Sequence, residues 1–335
     1  MGMTRQIESA GGRVLGALSR LQSIVGLILI VLLSIVLSPK ATDGSIIFLH
    51  WGNLTDVLRQ MSVVGVMALG MTFVILTGGI DLSVGSILAL STCVLATLLT
   101  QWQPGLDYGW HIAIAVGAAV GASTLVGLAN GYLIFRLGVP PFIMTLAAMI
   151  GIRGLAKWLT RNATMDIGFG QDAAAVFARS IGDKTATILV FLSLAVIFWV
   201  VLTRTVLGRY VRAIGDNEQA ARYSGLPIRR VKVWAYAMMG LLSGVAGVLY
   251  AAQTNQGDPN AGSGYELDVI AAVVIGGTSL SGGKGSITGT IVGTTIMGVL
   301  TNILGLNNID SNVQMMTKAV IIILAVWVQK HRKAD

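Results

Sequence analysis

Arg204-Thr-Val-Leu-Gly208-Arg209-Tyr-Val-Arg212-Ala-Ile-Gly215-Asp216-Asn217-Glu218-Gln219-Ala-Ala221-Arg222-Tyr-Ser224-Gly225-Leu-Pro227-Ile-Arg229-Arg230-Val-Lys232 separates two long apolar runs, residues 186–202 and 233–252. Each run has about the length of a membrane-crossing helix. Seven Arg and Lys against Asp216 and Glu218 make this the most cationic loop of the chain, and short loops rich in Lys and Arg stay on the cytoplasmic side. That orients the two flanking runs and, by alternation, all the others. Residues 216–225 carry the punctuation of a two-turn helix: Asp216 to cap the start, Gln219 at the reciprocal capping position, Gly225 as a left-handed stop and Pro227 to forbid continuation. A helix this short is unstable alone. It is either a solvated connector whose cations fix topology or a docking element for a partner, and charge does not separate the two.

Outside the loop, composition sets the class. Hydrophobic residues are 54% and charged residues 11% of 335, with a mean hydropathy of +0.76, outside the range of soluble domains. The expected fold is an all-α polytopic membrane protein. The formal charge of +8 sits beside apolar runs rather than in a basic, aromatic-interleaved surface, so the expected environment is membrane lipid and not nucleic acid. One cysteine, Cys93, within an apolar run, excludes a disulfide framework and a cysteine metal site. His50, His111 and His331 have neither metal-ligand spacing nor a nucleophile beside them. No catalytic or metal site, and no cofactor bound by this chain, is expected.

Apolar runs place ten spans at about 22–38, 61–77, 83–100, 111–135, 141–158, 185–203, 232–252, 266–277, 287–305 and 315–329. The first follows Arg5, Arg13 and Arg20 as a signal peptide would, but it runs into Ser38-Pro39-Lys40 instead of a cleavage site, so it reads as an uncleaved span. The expected organisation is a cytoplasmic segment 1–21, a transmembrane domain 22–329 containing the loop 204–232, and a cytoplasmic tail 330–335. An even span count keeps both termini inside. Alternation then puts about fifteen Lys and Arg in the cytoplasm and about five outside, the asymmetry the positive-inside rule requires. The external segment 159–184 is long for a connector, which suits either a docking surface or a surface loop. Small residues four apart, Gly117 with Gly121, Gly127 with Gly131 and Gly240 with Gly244, read as close helix packing within one subunit.

Two glycine-interrupted segments share a pattern. Gly78-Gly79-Ile-Asp81-Leu-Ser83-Val-Gly85-Ser-Ile87 and Gly276-Gly277-Thr278-Ser279-Leu-Ser281-Gly282-Gly283-Lys284-Gly285-Ser-Ile287 both run Gly-Gly-x-x-Leu-Ser, then glycine, then Ser-Ile, as an internal duplication would. Unwound backbone within a bilayer is tolerated where it lines a pathway, and Thr77, Asp81, Ser83, Thr278 and Ser279 would then offer donors and acceptors to a polar solute. The alternative is a pair of tight turns, with Asp81 capping the next helix through the Ser83 and Val84 amides. The second segment is not a phosphate loop: Gly285 follows Lys284 where Ser or Thr is required, and Thr278 holds the place of the first glycine. The chain is not its own ATPase.

Several of these stretches resemble one family. Gly208-Arg-Tyr, Ala213-Ile-Gly-Asp-Asn-Glu-Gln-Ala-Ala-Arg-Tyr-Ser-Gly-Leu-Pro227, Gly70-Met-Thr-x-Val-Ile-Leu-Thr-Gly-Gly-Ile-Asp-Leu-Ser-Val-Gly85, Gly264-Tyr-Glu-Leu-Asp268 and 276–285 are similar to bacterial ABC sugar importer permeases of the ribose type. The match runs from about Asn53 to the end. The resemblance implies that the short helix is a coupling helix docking on a separate cytoplasmic ABC ATPase, which holds ATP and Mg. It also implies a periplasmic sugar-binding protein, a second permease copy as homodimer or heterodimer, and residence in the bacterial inner membrane. Carried over residue by residue, it places ATPase coupling on Asp216, Asn217, Glu218, Gln219, Ala221, Arg222, Ser224 and Gly225. An ion-coupled secondary transporter of a small polar solute is the alternative. It would need an intramembrane carboxylate relay, for which Asp81 is the single candidate.

Overall fold

The computed structural model describes residues 23–102, 104–168 and 172–331. The expected segment 1–21 and the end of the tail fall outside them. The chain is a helical bundle: α1 (Ser23–Leu37), α2 (Trp51–Leu76), α3 (Val84–Gln101), α4 (Tyr108–Leu137), α5 (Pro141–Leu159), α6 (Ala173–Ile181), α7 (Lys184–Arg204), α8 (Val206–Asp216), α9 (Glu218–Tyr223), α10 (Ile228–Thr254), α11 (Tyr265–Ile275), α12 (Ile287–Leu306) and α13 (Ser311–His331). Among the described residues, seven helices are long and apolar enough to cross a membrane: α2, α3, α4, α5, α7, α10 and α12. α1, α11 and α13 occupy the other three expected positions.

α2 is the column around which the bundle packs. From Met61 to Leu76 it is buried at all but one position, with α10, α12, α7 and α11 around it. Its amino-terminal end corrects the sequence reading. The helix starts ten residues before the expected span, because its polar first turns find partners in other elements. Asn53 exchanges amide hydrogen bonds with Asn302 at 3.2 and 2.9 Å, Asp56 pairs with Lys184 at 2.7 Å, and the Arg59 guanidinium donates to the Gln253 carbonyl at 3.1 Å. Hydropathy counts such residues against a span, whereas a helix tolerates them once their polar groups are satisfied.

The small-residue pairs divide. Gly127 and Gly131 of α4 meet α10 at Gly240, Tyr236 and Val233, where a Cβ on Gly127 would lie 2.3 Å from the Tyr236 carbonyl oxygen, and Gly244 meets Ser123. Backbones cross there at a separation that side chains would prevent. Among the described residues, Gly117 and Gly121 have nothing within 4 Å of a Cβ position, so the close packing their spacing suggested is not made there.

The long 159–184 segment is built rather than loose. Met165–Asp166 pairs antiparallel with Gln256–Gly257, and Asp172 caps α6 by accepting the Ala175 amide at 3.0 Å. α6 buries Ala173, Ala174 and Phe177 against Leu95, Leu99 and Ala252. Its length reflects a packed helix that the sequence reading did not resolve.

Candidate functional site

The polar loop folds as two helices, not one. α8 was missed, although Leu207, Val211 and Ile214 have the spacing of one helical face. Val211 and Ile214 are buried, and Thr205 caps the start by accepting the Gly208 amide at 3.4 Å. α8 ends at Asp216, so Asp216 does not cap the short helix. Asn217 does, accepting the Ala220 amide at 2.9 Å. The cap is one residue later than expected because α8 extends the helical backbone through Asp216 and makes Asn217 the first extended residue. With Asn217 as cap the reciprocal position falls on Ala220 rather than Gln219, so no capping box forms. The stop is as expected: Gly225 has φ of +74°, and the Leu226 amide donates to the Ala221 carbonyl at 3.1 Å, the long bond that closes a helix on a left-handed residue. Replacing Asn217 with Ala is expected to lower the stability of this hairpin by about 1 kcal/mol, seen as faster amide exchange at 218–224 with exchange in α10 unchanged.

α9 presents one face inward and one outward. Ala221 is buried in the main core, so it holds the helix to the bundle and is absent from the outer face. Glu218 is likewise engaged, pairing with Lys232 at the start of α10 at 2.7 Å and with Arg222 at 3.7 Å. Gln219, Arg222, Ser224 and Gly225 are exposed. The residue that the sequence reading passed over is Tyr223, 90% exposed at the end of α9. A large exposed aromatic next to exposed Arg222 in a hairpin that also exposes Arg209 and Arg230 has the composition of an interface anchor.

Beneath this hairpin lie the two glycine-interrupted segments. They are tight turns that close the α2–α3 and α11–α12 pairs. In the first, Gly78 takes φ of +76° and the Gly79 amide reaches back to the Val74 carbonyl at 3.0 Å; in the second, Gly277 takes φ of +90° and the Thr278 amide reaches the Val273 carbonyl at 3.1 Å. The shared Gly-Gly therefore works out of step. The first glycine of one pair and the second of the other is left-handed, and the remaining glycine in each makes room, Gly79 for the Tyr236 hydroxyl and Gly276 for the Gly289 carbonyl.

The turns are joined through backbone. The Gly283 amide donates to the Leu76 carbonyl at 3.0 Å, and Gly215 of α8 lies against both, its missing Cβ falling 1.8 Å from that carbonyl oxygen and 2.3 Å from the Gly283 nitrogen. Three chain segments thus meet at one point with no side chain between them. The sequence reading singled out neither Gly215 nor Leu76.

Thr77, Asp81, Ser83, Thr278 and Ser279 are all buried in these turns. Asp81 Oδ1 accepts the Ser83 amide at 2.9 Å and its hydroxyl at 2.6 Å, and the Asn130 amide of α4 donates to that hydroxyl at 3.0 Å. Asp81 therefore organises its own turn, and the bond expected from the Val84 amide is not formed. Its Oδ2 has no hydrogen-bond partner among the described residues. Burial between the two spans pushes its carboxyl up to about 6, against the opposing effect of the Ser83 hydrogen bonds.

The arrangement is an exposed short helix whose neighbour α8 is keyed by bare backbone to the turns that join α2 to α3 and α11 to α12.

A family model described as the permease component of a branched-chain amino acid transport system matches residues 53–326. The ribose import permease protein RbsC of Escherichia coli K12 is 39% identical over 315 residues, 93% of this chain and 94% of that protein. RbsC of Bacillus subtilis is 40% identical over 336 residues, 99% of each chain. The L-arabinose ABC transporter permease protein AraH of Azospirillum brasilense is 35% identical over 295 residues, 85% of this chain and 82% of that one. No solved structure matches the chain.

Proposed function

Because the chain belongs to the family described as the permease component of the branched-chain amino acid transport system, we propose that it is the membrane subunit of an ATP-binding-cassette importer carrying a neutral monosaccharide, a ribose-like pentose or related sugar, into the bacterial cytoplasm. The observation that carries this reading is the identity with ribose import permeases over nearly the whole length of both chains. The rest of the machine is part of the same proposal. A cytoplasmic ABC ATPase, loaded with ATP and Mg, receives α9; a periplasmic binding protein delivers the sugar; a second permease copy completes the path. The chain crosses the inner membrane ten times, with α1, α11 and α13 added to the seven long spans. Both termini are then cytoplasmic, on the side of the cationic α8–α9 hairpin.

In this reading Asp216, Asn217, Glu218, Gln219, Ala221, Arg222, Ser224 and Gly225 build the coupling element, with Ala221 and Glu218 seating it and Gln219, Arg222, Tyr223 and Ser224 offered to the ATPase. Closure of the ATPases pulls α9, α8 transmits the pull through Gly215, and the two glycine turns shift with the helices they close. Thr77, Asp81, Ser83, Thr278 and Ser279 are assigned to the floor of the path, buried in the closed packing and reached by solute when the turns part.

The test is uptake of labelled D-ribose, L-arabinose and D-fructose by proteoliposomes holding the permease, its ATPase and its binding protein. Sugar should accumulate only with ATP inside and binding protein outside. Uptake driven by a proton or sodium gradient with the ATPase omitted would establish the ion-coupled alternative, with Asp81 as its carboxylate.

A further inference from the structure

At the end of the bundle opposite α9, a cavity of about 310 Å³ opens between α2, α10, α11, α12 and α13. It is at the small end of the usual range for small-molecule sites, about 300–1,000 Å³. Its apolar wall includes Met61 and Met297, and its polar wall carries Gln60, Tyr250, Gln253, Tyr265, Asp268 and Lys318. None of the residues assigned to the coupling element or to the glycine turns lines it.

Three features identify the chemistry it suits. First, charge is cancelled inside it. Lys318 of α13 and Asp268 of α11 pair at 2.8 Å with side-chain exposures of only 18% and 17%, so the cavity offers strong charge-assisted hydrogen bonds but no net charge to an ionic guest. Second, the two side-chain amides and two phenols supply donors and acceptors together, the mixture that vicinal hydroxyls need. No hydrogen bond to another described residue engages the Gln60 amide or either phenol, and the Gln253 amide makes one long donation, 3.4 Å to the Arg59 carbonyl. Third, Tyr250 and Tyr265 meet edge to face with centroids 6.2 Å apart, presenting ring surface beside those polar groups. A ring with hydroxyls on its rim and C–H bonds on its faces matches both surfaces.

We infer that this cavity, formed by Gln60, Tyr250, Gln253, Tyr265 and the Asp268–Lys318 pair, is an entry subsite that holds a neutral polyhydroxylated ring of monosaccharide size. The inference rests on the importer reading and adds the place where the permease itself first contacts its solute. It also gives the ion pair a role, since parting α11 from α13 breaks the Asp268–Lys318 contact at the edge of the site.

The experiment uses single reporter cysteines. Cys93 is the sole cysteine of the chain and is fully buried, so it contributes no background. Thr301→Cys and, as a second reporter, Val64→Cys, both on the cavity lining, are labelled with a small charged thiol reagent in the assembled transporter in nanodiscs, with D-ribose or L-leucine present. D-ribose at about four times its Kd should slow labelling about fivefold, and L-leucine should not. Tyr250→Ala, or Gln253→Leu if the former fails to insert, should remove the protection. Unchanged labelling at both reporters overturns the inference, as does protection by L-leucine without protection by D-ribose or protection that survives both variants. Protection without ATP-driven uptake would keep the subsite and remove the importer reading; uptake without protection would do the reverse.

Discussion

Gly215→Val is expected to reduce ATP-driven sugar uptake by more than about tenfold while the transporter still assembles. A side chain at 215 has nowhere to go. Its first carbon would meet the Leu76 carbonyl oxygen and the Gly283 nitrogen at 1.8 and 2.3 Å, and both are backbone atoms that cannot rotate aside. Overpacking of this kind costs about 1–3 kcal/mol, and the cheapest relief is for α8 to lift off the glycine turns. The outer face of α9, where Arg222 and Tyr223 are exposed, would be unaltered. Association with the ATPase should therefore persist, and ATP hydrolysis should continue without delivering sugar. Gly52→Val is the control, since nothing lies within 4 Å of a Cβ there. Uptake by the Gly215 variant at the rate of the unmodified protein would show that the junction carries no force.

Tyr223→Ala should weaken binding of the ATPase by about thirtyfold, the equivalent of about 2 kcal/mol for loss of an aromatic anchor. At 90% exposure the ring makes little contact with its own subunit, so its removal should leave folding and insertion unaffected. Charge reversal at the neighbouring Arg222→Glu should act in the same direction and grow weaker with added salt. Glu218→Arg is a less clean probe. Glu218 already pairs with Lys232 at 2.7 Å, so a cation there repels part of its own hairpin as well as any partner. Equal affinity of the Tyr223 variant and the unmodified permease would move the interface off α9.

The helix positions were legible because apolar runs of this length favour helices, and the helices of the bundle start or stop within a few residues of the apolar runs at most ends. The exception at α2 has a physical cause. Asn53, Asp56 and Arg59 are polar, and nothing local indicates that Asn302, Lys184 and the Gln253 carbonyl lie across from them. The short helix was legible from Gly225 and Pro227, whose backbone restrictions are local, whereas its cap was placed one residue early because Asp216 and Asn217 are both good caps and the end of α8 decides between them. α8 itself was visible in the spacing of Leu207, Val211 and Ile214, but a cationic stretch between two spans drew attention to its charge instead. The Gly215 junction could not be read at all. It is a meeting of three segments far apart in sequence, and a glycine that makes room for backbone looks the same in sequence as one that makes a turn.

α2 is anchored differently at its two ends. Toward Trp51 it is held by one amide pair, Asn53 with Asn302, and by an ion pair in which both side chains are 42% exposed, a contact that water and salt compete for. Toward Leu76 it is enclosed on every side and finishes on a main-chain hydrogen bond. A pillar socketed at its base and merely guyed at its top sways at the top. The Trp51 end is therefore the one expected to move more freely, and the Leu76 end to move only together with the turns it is bonded to.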